Sequence, residues 1–491
     1  MESGPGEKQR VIVVGGGVSG LAAAHRLLEL SSEWALPVEV LLLEASNRLG
    51  GAISTRSYGD FIVEGGADSF ITQKPWALEL CKRLDIGNRI IKTNDQSRRT
   101  FVALNGRLHA LPDGFIMLAP TKWRPFFAST LFSWFGKLRM AMDLVLPSRK
   151  KVEDESLSSF VKRRFGREAL ERAAQPMIGG IYTADPDELS MLATFPKFIE
   201  MEQSAGSVIR GLIEQETSGQ DESPETARES DARGRKPAES GARYSMFVSL
   251  DEGMQVLVDS LAGRLPRDSL RLDAAVSSVV PNASGGWKVV IGSGESFDAS
   301  GLILATPVNG TARLVADFDA ALAADLASIP LASSAVLNLV YARTDIPHSL
   351  EGFGFVVPAI EKRSIIACSF ATVKFSRRAP QGKVILRAFL GGALQPDIYS
   401  LSDAEMERLA RADLEHYLGI RAAPLSVSLT RHPQSMPQLH VGHLDLVSRI
   451  ESRVRTYNAL ALAGNAYHGV GIPDCIHSGE LAAESVLRQL S

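Results

Sequence analysis

The sequence predicts an α/β protein with three parts: a discontinuous Rossmann-like domain, a domain built on a mixed sheet, and a helical domain. Three observations carry this. Near the N-terminus a Gly-rich turn joins an apolar run to a helical pattern, in "VIVVGGGVSGLAAAHRL" (11–27). The chain closes on strand, Gly-rich loop and helix, in "LALAGNAYHGVGIPDCIHSGELAAESVLRQL" (460–490). Between them short strand-like runs alternate with helical patterns, without internal repeat, over a chain of 491 residues. That length allows two or three domains with sizeable cores.

Val11–Val14 is a short apolar run that predicts a buried strand. Leu21–Leu30 predicts a helix with Leu21, Ala24, Leu27 and Leu28 on one stripe. A second strand, Val38–Leu43, ends at Glu44. Between strand and helix, Gly15, Gly17 and Gly20 match G-x-G-x-x-G in the context that motif requires. Gly15 permits the tight turn, Gly17 the approach of a pyrophosphate, and Gly20 close packing of helix on sheet. Backbone N–H groups at the helix start near Ser19 would face the phosphates. Glu44 would accept from ribose hydroxyls and disfavour a 2′-phosphate. These residues predict a dinucleotide and leave NAD and FAD both open.

Residues 114–152 crowd aromatic and basic side chains together, among them Trp123, Phe126, Phe127, Trp134 and Phe135, with Asp143 the only acid before Glu153. Residues 156–175 and 189–213 predict further helices. The stretch 216–243 is polar and charged, and cannot bury enough apolar surface to offset its ordering entropy. Strands are predicted at Ala275–Val280, Trp287–Ile291, Leu302–Ala305, Ser334–Tyr341, Phe353–Val357, Ile365–Phe370 and Val384–Leu390, and a helix at 402–418.

Composition excludes several classes. A net charge of −3 gives no argument for nucleic acid. Cys81, Cys368 and Cys475 lie far apart, so neither a disulfide framework nor a metal site is expected. No apolar run reaches the roughly 20 residues that span a bilayer, and "MESGPGEKQR" leads into no separate signal-peptide core. The chain is expected to stay in the cytoplasm or lie on a membrane without crossing it.

The stretch "EASNRLGGAISTRSYGDFIVEGGADSF" (44–70) resembles the extended motif of the FAD-dependent amine oxidase superfamily, with Arg48, Gly50, Gly51 and Thr55 in register. The resemblance implies non-covalent FAD, with Arg48, Gly50 and Gly51 along pyrophosphate and flavin and Glu64-Gly65-Gly66 beginning the wall beside the ring. It further implies Gly464 and Asn465 near the flavin, the loop Gly469-Val470-Gly471 against it, and Val276 at the adenine. An amine oxidase or carotenoid desaturase is a rival; amine oxidases carry a C-terminal aromatic pair where this chain has Tyr467 followed by His468.

Stretches outside that motif narrow the resemblance: "GRLHALP", "GGIYTADPDELSMLATFP", "LDEGMQVLVDSL", "GFGFVVP", "KFSRRAPQGKVILRAFLGG" and "MPQLHVGH". Together they resemble the FAD-containing protoporphyrinogen oxidase family of haem biosynthesis. That resemblance implies a six-electron oxidation of a porphyrinogen in three hydride transfers to flavin N5, with electrons passing to oxygen or a quinone. It implies an FAD domain from 8–88, 244–310 and 436–491, a helical membrane-associating domain at 92–213, a flexible insertion at 214–243 and a substrate domain at 311–435. It also implies peripheral attachment to the inner membrane, through Trp123, Trp134 and the Lys/Arg excess of 114–152, and a homodimer. Gly180 would let the macrocycle approach the backbone, Val356 and Phe389 would sandwich it, and Ser369 would line the same cavity. The family commonly places an Arg for a substrate propionate where this chain has Thr100. Arg99 is the expected substitute, more than Arg98. The apolar pair Val356 and Phe389 suits vinyl edges, so protoporphyrinogen IX is the expected substrate and coproporphyrinogen III the alternative.

Overall fold

The computed structural model describes residues 9–94, 98–149, 153–217, 247–283 and 285–491. The insertion expected at 214–243 lies outside them from residue 218 on, as do Lys150 and Lys151.

Five parallel strands form the first sheet, in the order Leu270–Arg271, Val38–Leu43, Gln9–Val14, Gly301–Leu304 and Leu460–Leu462. The four strands other than the edge pair Leu270–Arg271 are apolar along their inner length because helices or strands cover both faces. The helix Val18–Glu33 packs on the C-terminal helix Ile472–Leu490. These strands come from all three segments expected to build the Rossmann-like domain. Gly15 sits at φ +110°, a conformation that glycine adopts freely, and turns the first strand into the first helix.

A seven-stranded sheet forms the second layer, in the order Ser426–Pro437, Leu331–Ala342, Lys383–Gly391, Ile365–Phe370, Gly354–Val356, Thr100–Leu104 and Arg107–Ala110. Two of its strands fall outside the expected substrate domain. Thr100–Leu104 and Arg107–Ala110, assigned from sequence to the helical domain, complete this sheet, with Thr100–Leu104 parallel to Gly354–Val356. The strand Ser426–Pro437 likewise crosses the boundary expected at 435. Sheet partners distant in sequence decide such membership, and local pattern does not register them.

The helical region then runs from about residue 115 to 217. It has its own core, which includes Phe115, Phe126, Phe132, Phe160, Phe165 and Met191. Within it Arg167–Tyr182 is one helix carrying a π segment at Leu170–Ala174. Pro176 has no N–H to donate to the preceding turn, and the wider π turn accommodates that loss. The last turn of this helix carries Gly179 and Gly180.

The aromatic stretch divides. Phe115, Phe126 and Phe132 are buried, whereas Trp134 (67% exposed), Phe135 (84%), Leu138 (60%) and Val145 (79%) face outward. Its basic residues are largely engaged internally. Lys137 donates to the Phe127 carbonyl, Arg139 to the carbonyls of Lys162, Arg163 and Arg164, and Arg149 pairs with Glu155. Among the described residues no helix is long and apolar enough to cross a membrane.

Candidate active site

One cavity of about 3350 Å³ runs between the parallel sheet and the seven-stranded sheet, and residues from both line it. At one end stand Gly15, Gly17, Ser19, Glu44, Arg48, Gly50 and Gly51. Val276, Gly464, Asn465, Val470 and Gly471 join them from later segments. Gly20 and Gly469 do not line the cavity. A Cβ on Gly20 would lie 1.9 Å from the Gly15 carbonyl oxygen, so its task is to let helix and strand touch. A Cβ on Gly469 would meet the Asp474 carboxylate at 2.6 Å.

The geometry of this end fits a dinucleotide. A Cβ on Gly17 would meet nothing within 4 Å, so the chain itself leaves that space open. Gly17 caps the first helix, and among the described residues no side-chain cap hydrogen bond forms at its first turn. The Glu44 carboxylate is held in place, accepting from Gly16 N at 2.6 Å and from Ser46 N at 2.8 Å. Oε1 also meets Ser46 Oγ at 2.7 Å, and Oε2 keeps a lone pair for a further donor. Arg48 donates to the Leu49 and Ile53 carbonyls and shapes the loop that carries Gly50 and Gly51. Cys475 also lines the cavity, but burial pushes its thiol up to about 12, which leaves no thiolate to act as a nucleophile.

The other end is built on the seven-stranded sheet. Val356, Ala367, Phe389 and Val336 stand opposite one another on four adjacent strands and form one row. Two residues along each strand, on the same face, lies a second row of Thr100, Gly354, Ser369, Arg387 and Asn338. The first row is apolar and the second is mostly polar. Gly180 faces the first row; a Cβ there would sit 3.8 Å from Val356 Cγ1, an ordinary contact. The expected substrate residues Gly180, Val356, Ser369 and Phe389 all line this end.

Arg99 does not. It is exposed, and its carbonyl accepts from Phe353 N at 2.8 Å. Arg98 and Thr100 line the cavity instead. The correction follows from the strand period: extended residues two apart share a face, so Thr100 facing inward brings Arg98 with it and turns Arg99 away.

Four further residues at this site were not singled out by sequence. Asp68 is gripped by Lys374, at 3.0 and 3.1 Å to its two oxygens, and by Arg387 at 2.8 Å. Burial would raise the Asp68 carboxyl, but the two cations override it and hold it well below the usual carboxylate range. His432 meets the Gly65 carbonyl through Nε2 at 2.9 Å. A carbonyl only accepts, so in the neutral ring Nε2 carries the proton and Nδ1 is an acceptor. A signal for Arg387 existed: a charge inside the apolar strand "KVILRAFLGG", two residues from Phe389.

The chain matches the model of the flavin containing amine oxidoreductase family over residues 18–487. It is 33% identical to coproporphyrinogen III oxidase of Bacillus subtilis (strain 168) over 484 residues, 98% of this chain and 99% of that protein. It is 31% identical to human protoporphyrinogen oxidase over 492 residues, 97% and 98% of the two chains. Among solved structures it superposes on a putative protoporphyrinogen oxidase from Exiguobacterium sp. 255-15 with a TM-score of 0.83 and 28% identity, covering 99% of both. A putrescine oxidase shares the fold at 17% identity and a TM-score of 0.68, covering 98% and 99%. The protein is an FAD-dependent oxidoreductase. With this likeness running the length of the chain, and with the Gly-rich turn, Glu44 and the C-terminal loop converging on one cavity, the chain belongs to the FAD-dependent protoporphyrinogen oxidase family of the flavin-containing amine oxidoreductases.

Proposed function

We propose that this protein oxidises coproporphyrinogen III to coproporphyrin III. The observation that carries this is the full-length similarity to the Bacillus subtilis coproporphyrinogen III oxidase, at 33% identity. Similar proteins of that name from Staphylococcus aureus and Propionibacterium freudenreichii match at 29% and 30%. The expected preference for protoporphyrinogen IX rested on the apolar pair Val356 and Phe389. The polar row beside that pair weakens the argument, because the same face also suits carboxylates. Protoporphyrinogen IX remains the second reading, supported by that apolar row.

The porphyrinogen loses six electrons and six hydrogens in three two-electron steps. When bound, FAD supplies the two-electron acceptor for each step. The chain positions the macrocycle: Val356 and Phe389 cover an apolar face, and Gly180 leaves room opposite them. Gly17, Glu44, Arg48, Gly51, Val276, Gly464 and Val470 hold the dinucleotide in this reading. Offering each porphyrinogen to the holoenzyme and comparing initial rates of porphyrin fluorescence tests the substrate. A kcat/KM for coproporphyrinogen III at least about tenfold higher supports the reading; a faster protoporphyrinogen IX reaction overturns it.

Three variants probe the cavity. Arg98→Ala is expected to raise KM by about 10- to 100-fold, the effect of a charge-assisted bond to a carboxylate worth roughly 1.5–3 kcal/mol. Arg99→Ala is expected to change KM less than about twofold, and steady-state kinetics of the pair decides. Gly180→Ala separates substrate space from packing. A helical Gly→Ala exchange stabilises by about 0.5–1 kcal/mol, and this site admits a Cβ without a clash. Stability should rise while kcat/KM falls; unchanged kinetics would remove Gly180 from the substrate wall.

We also propose that the helix Trp134–Ala141 docks on a lipid surface. Trp134, Phe135, Leu138, Met142 and Val145 recur on one exposed face, and Ile116 and Met117 of the same region line the cavity. With Lys137, Arg139 and Arg149 engaged internally, apolar insertion leads and charge contributes less. Co-sedimentation with vesicles should therefore survive high salt and fall in Phe135→Ser; binding that is lost in salt and unchanged in Phe135→Ser argues against this face.

A further inference from the structure

We propose that Lys374 and Arg387, held by Asp68, form a second carboxylate-recognising pole of the cavity. It takes a substrate propionate on the side of the macrocycle opposite Arg98, and so selects a porphyrinogen with carboxylates on opposite edges. The inference rests on the reading of the substrate as a porphyrinogen and deepens it.

The charge count comes first. Lys374 and Arg387 are two cations that share one carboxylate, Asp68, so the cluster carries one positive charge in excess. The neighbouring charges leave that excess in place: Glu64 faces both Arg387 and Arg378, a third cation, and Asp251, also near Arg378, is paired with Arg89 at 3.0 Å. Arg387 is only 2% exposed, and its Nε–H is buried with no acceptor among the described residues. Buried cations are ordinarily paired, because an uncompensated charge in a low-dielectric site is costly. Both Lys374 and Arg387 line the cavity, where an anionic ligand supplies the missing partner.

Position comes second. Arg387 lies in the polar row beside Phe389, its guanidinium 5.3 Å from that ring. From Arg387 the row crosses Ser369 and Gly354 to Thr100, three strand spacings or about 14 Å. Arg98 lines the cavity on the same segment as Thr100, two residues before it, so it stands across the sheet from Arg387 and one step further along its own strand. The cavity therefore presents cationic groups on opposite sides of Ser369 and Gly354, with the apolar Val356–Phe389 row alongside. Protoporphyrinogen IX has two propionates on neighbouring rings, along one edge, and engages one pole. Coproporphyrinogen III carries a propionate on each of its four rings and engages both.

Three holoenzyme variants test this: Lys374→Met, Arg387→Met and, as the conservative replacement, Lys374→Arg. Each Met variant keeps one cation for Asp68 and removes the excess charge, so a fold that tolerates either suffices. Initial rates with both porphyrinogens are measured alongside the flavin absorption spectrum and FAD dissociation. Either Met variant is expected to lower kcat/KM for coproporphyrinogen III at least tenfold and for protoporphyrinogen IX less than threefold. The flavin spectrum should be unchanged and Lys374→Arg close to wild type. An equal loss on both substrates with a shifted spectrum or weaker FAD retention would assign the cluster to the flavin and overturn the proposal. An equal loss without spectral change would make it structural and overturn it too. The wild type's own preference tests the substrate reading separately, because the proposal concerns how that ratio changes.

Discussion

Gly20→Ala should strip the protein of FAD and destabilise it by about 3 kcal/mol or more, the upper range for overpacking a tight contact. The new Cβ would lie 1.9 Å from the Gly15 carbonyl oxygen and 3.3 Å from Ala305 Cβ. The helix Val18–Glu33 would have to withdraw by about 1 Å, taking its N-terminus away from the pyrophosphate site. The sign is informative, since the same exchange in an unconstrained helix interior stabilises by up to about 1 kcal/mol. Gly17→Ala is the counterpart. Its Cβ meets nothing within 4 Å among the described residues, so the apoprotein should keep its stability while FAD retention falls. The ratio of flavin to protein absorbance, read with denaturant unfolding of the apo forms, distinguishes the two. A stable, flavin-free Gly20→Ala would mean that close packing is not its task.

Asp143→Ala should destabilise the helical region by about 3 kcal/mol, the lower end of the cost of breaking a buried pair, because Arg164 keeps Glu202 Oε1 at 3.5 Å. Asp143 and Arg164 are both fully buried and joined through Arg164 Nε. Asp143 also accepts from Ser207 Oγ at 2.6 Å and Ile209 N at 2.9 Å, so one carboxylate ties three segments together. The Arg164 guanidinium donates further to the carbonyls of Asp143 and Gly206. Replacing both partners, in Asp143→Leu with Arg164→Met, should recover much of the loss. Denaturation midpoints measured on the single and double variants decide; a single-variant loss below about 1 kcal/mol would show the pair to be solvated in solution.

Much of the nucleotide end was legible from residue order alone. The run Val11–Val14 reads as a strand covered on both faces, and the glycines at their fixed offsets fit a turn, a ligand and a packing contact. Glu44 and the Arg48–Gly51 tail are local in sequence, and so is the C-terminal loop. Each piece therefore announced itself without its neighbours. Strand and helix types held through most of the chain for the same reason, since Trp287–Ile291 and Ile365–Phe370 each carry their own pattern.

The substrate end depended on pairings that no local pattern records. Thr100–Leu104 joins Gly354–Val356 across some 250 residues, and that register decides that Arg98 rather than Arg99 faces the cavity. Asp68, Lys374 and Arg387 come from three separate segments, and only the closed fold places them in contact. The aromatic stretch 114–152 gave one composition, which packing divided into a buried core and an exposed face. By itself the sequence determined the nucleotide turn, the FAD motif and the family resemblance, because those lie in contiguous residues whose geometry is set within one strand–turn–helix unit. The tertiary structure alone decided which charges meet in the cavity and which surface stays apolar. Those properties belong to residues brought together by sheet register, and register is set by the burial of whole strand faces rather than by the residues that use it.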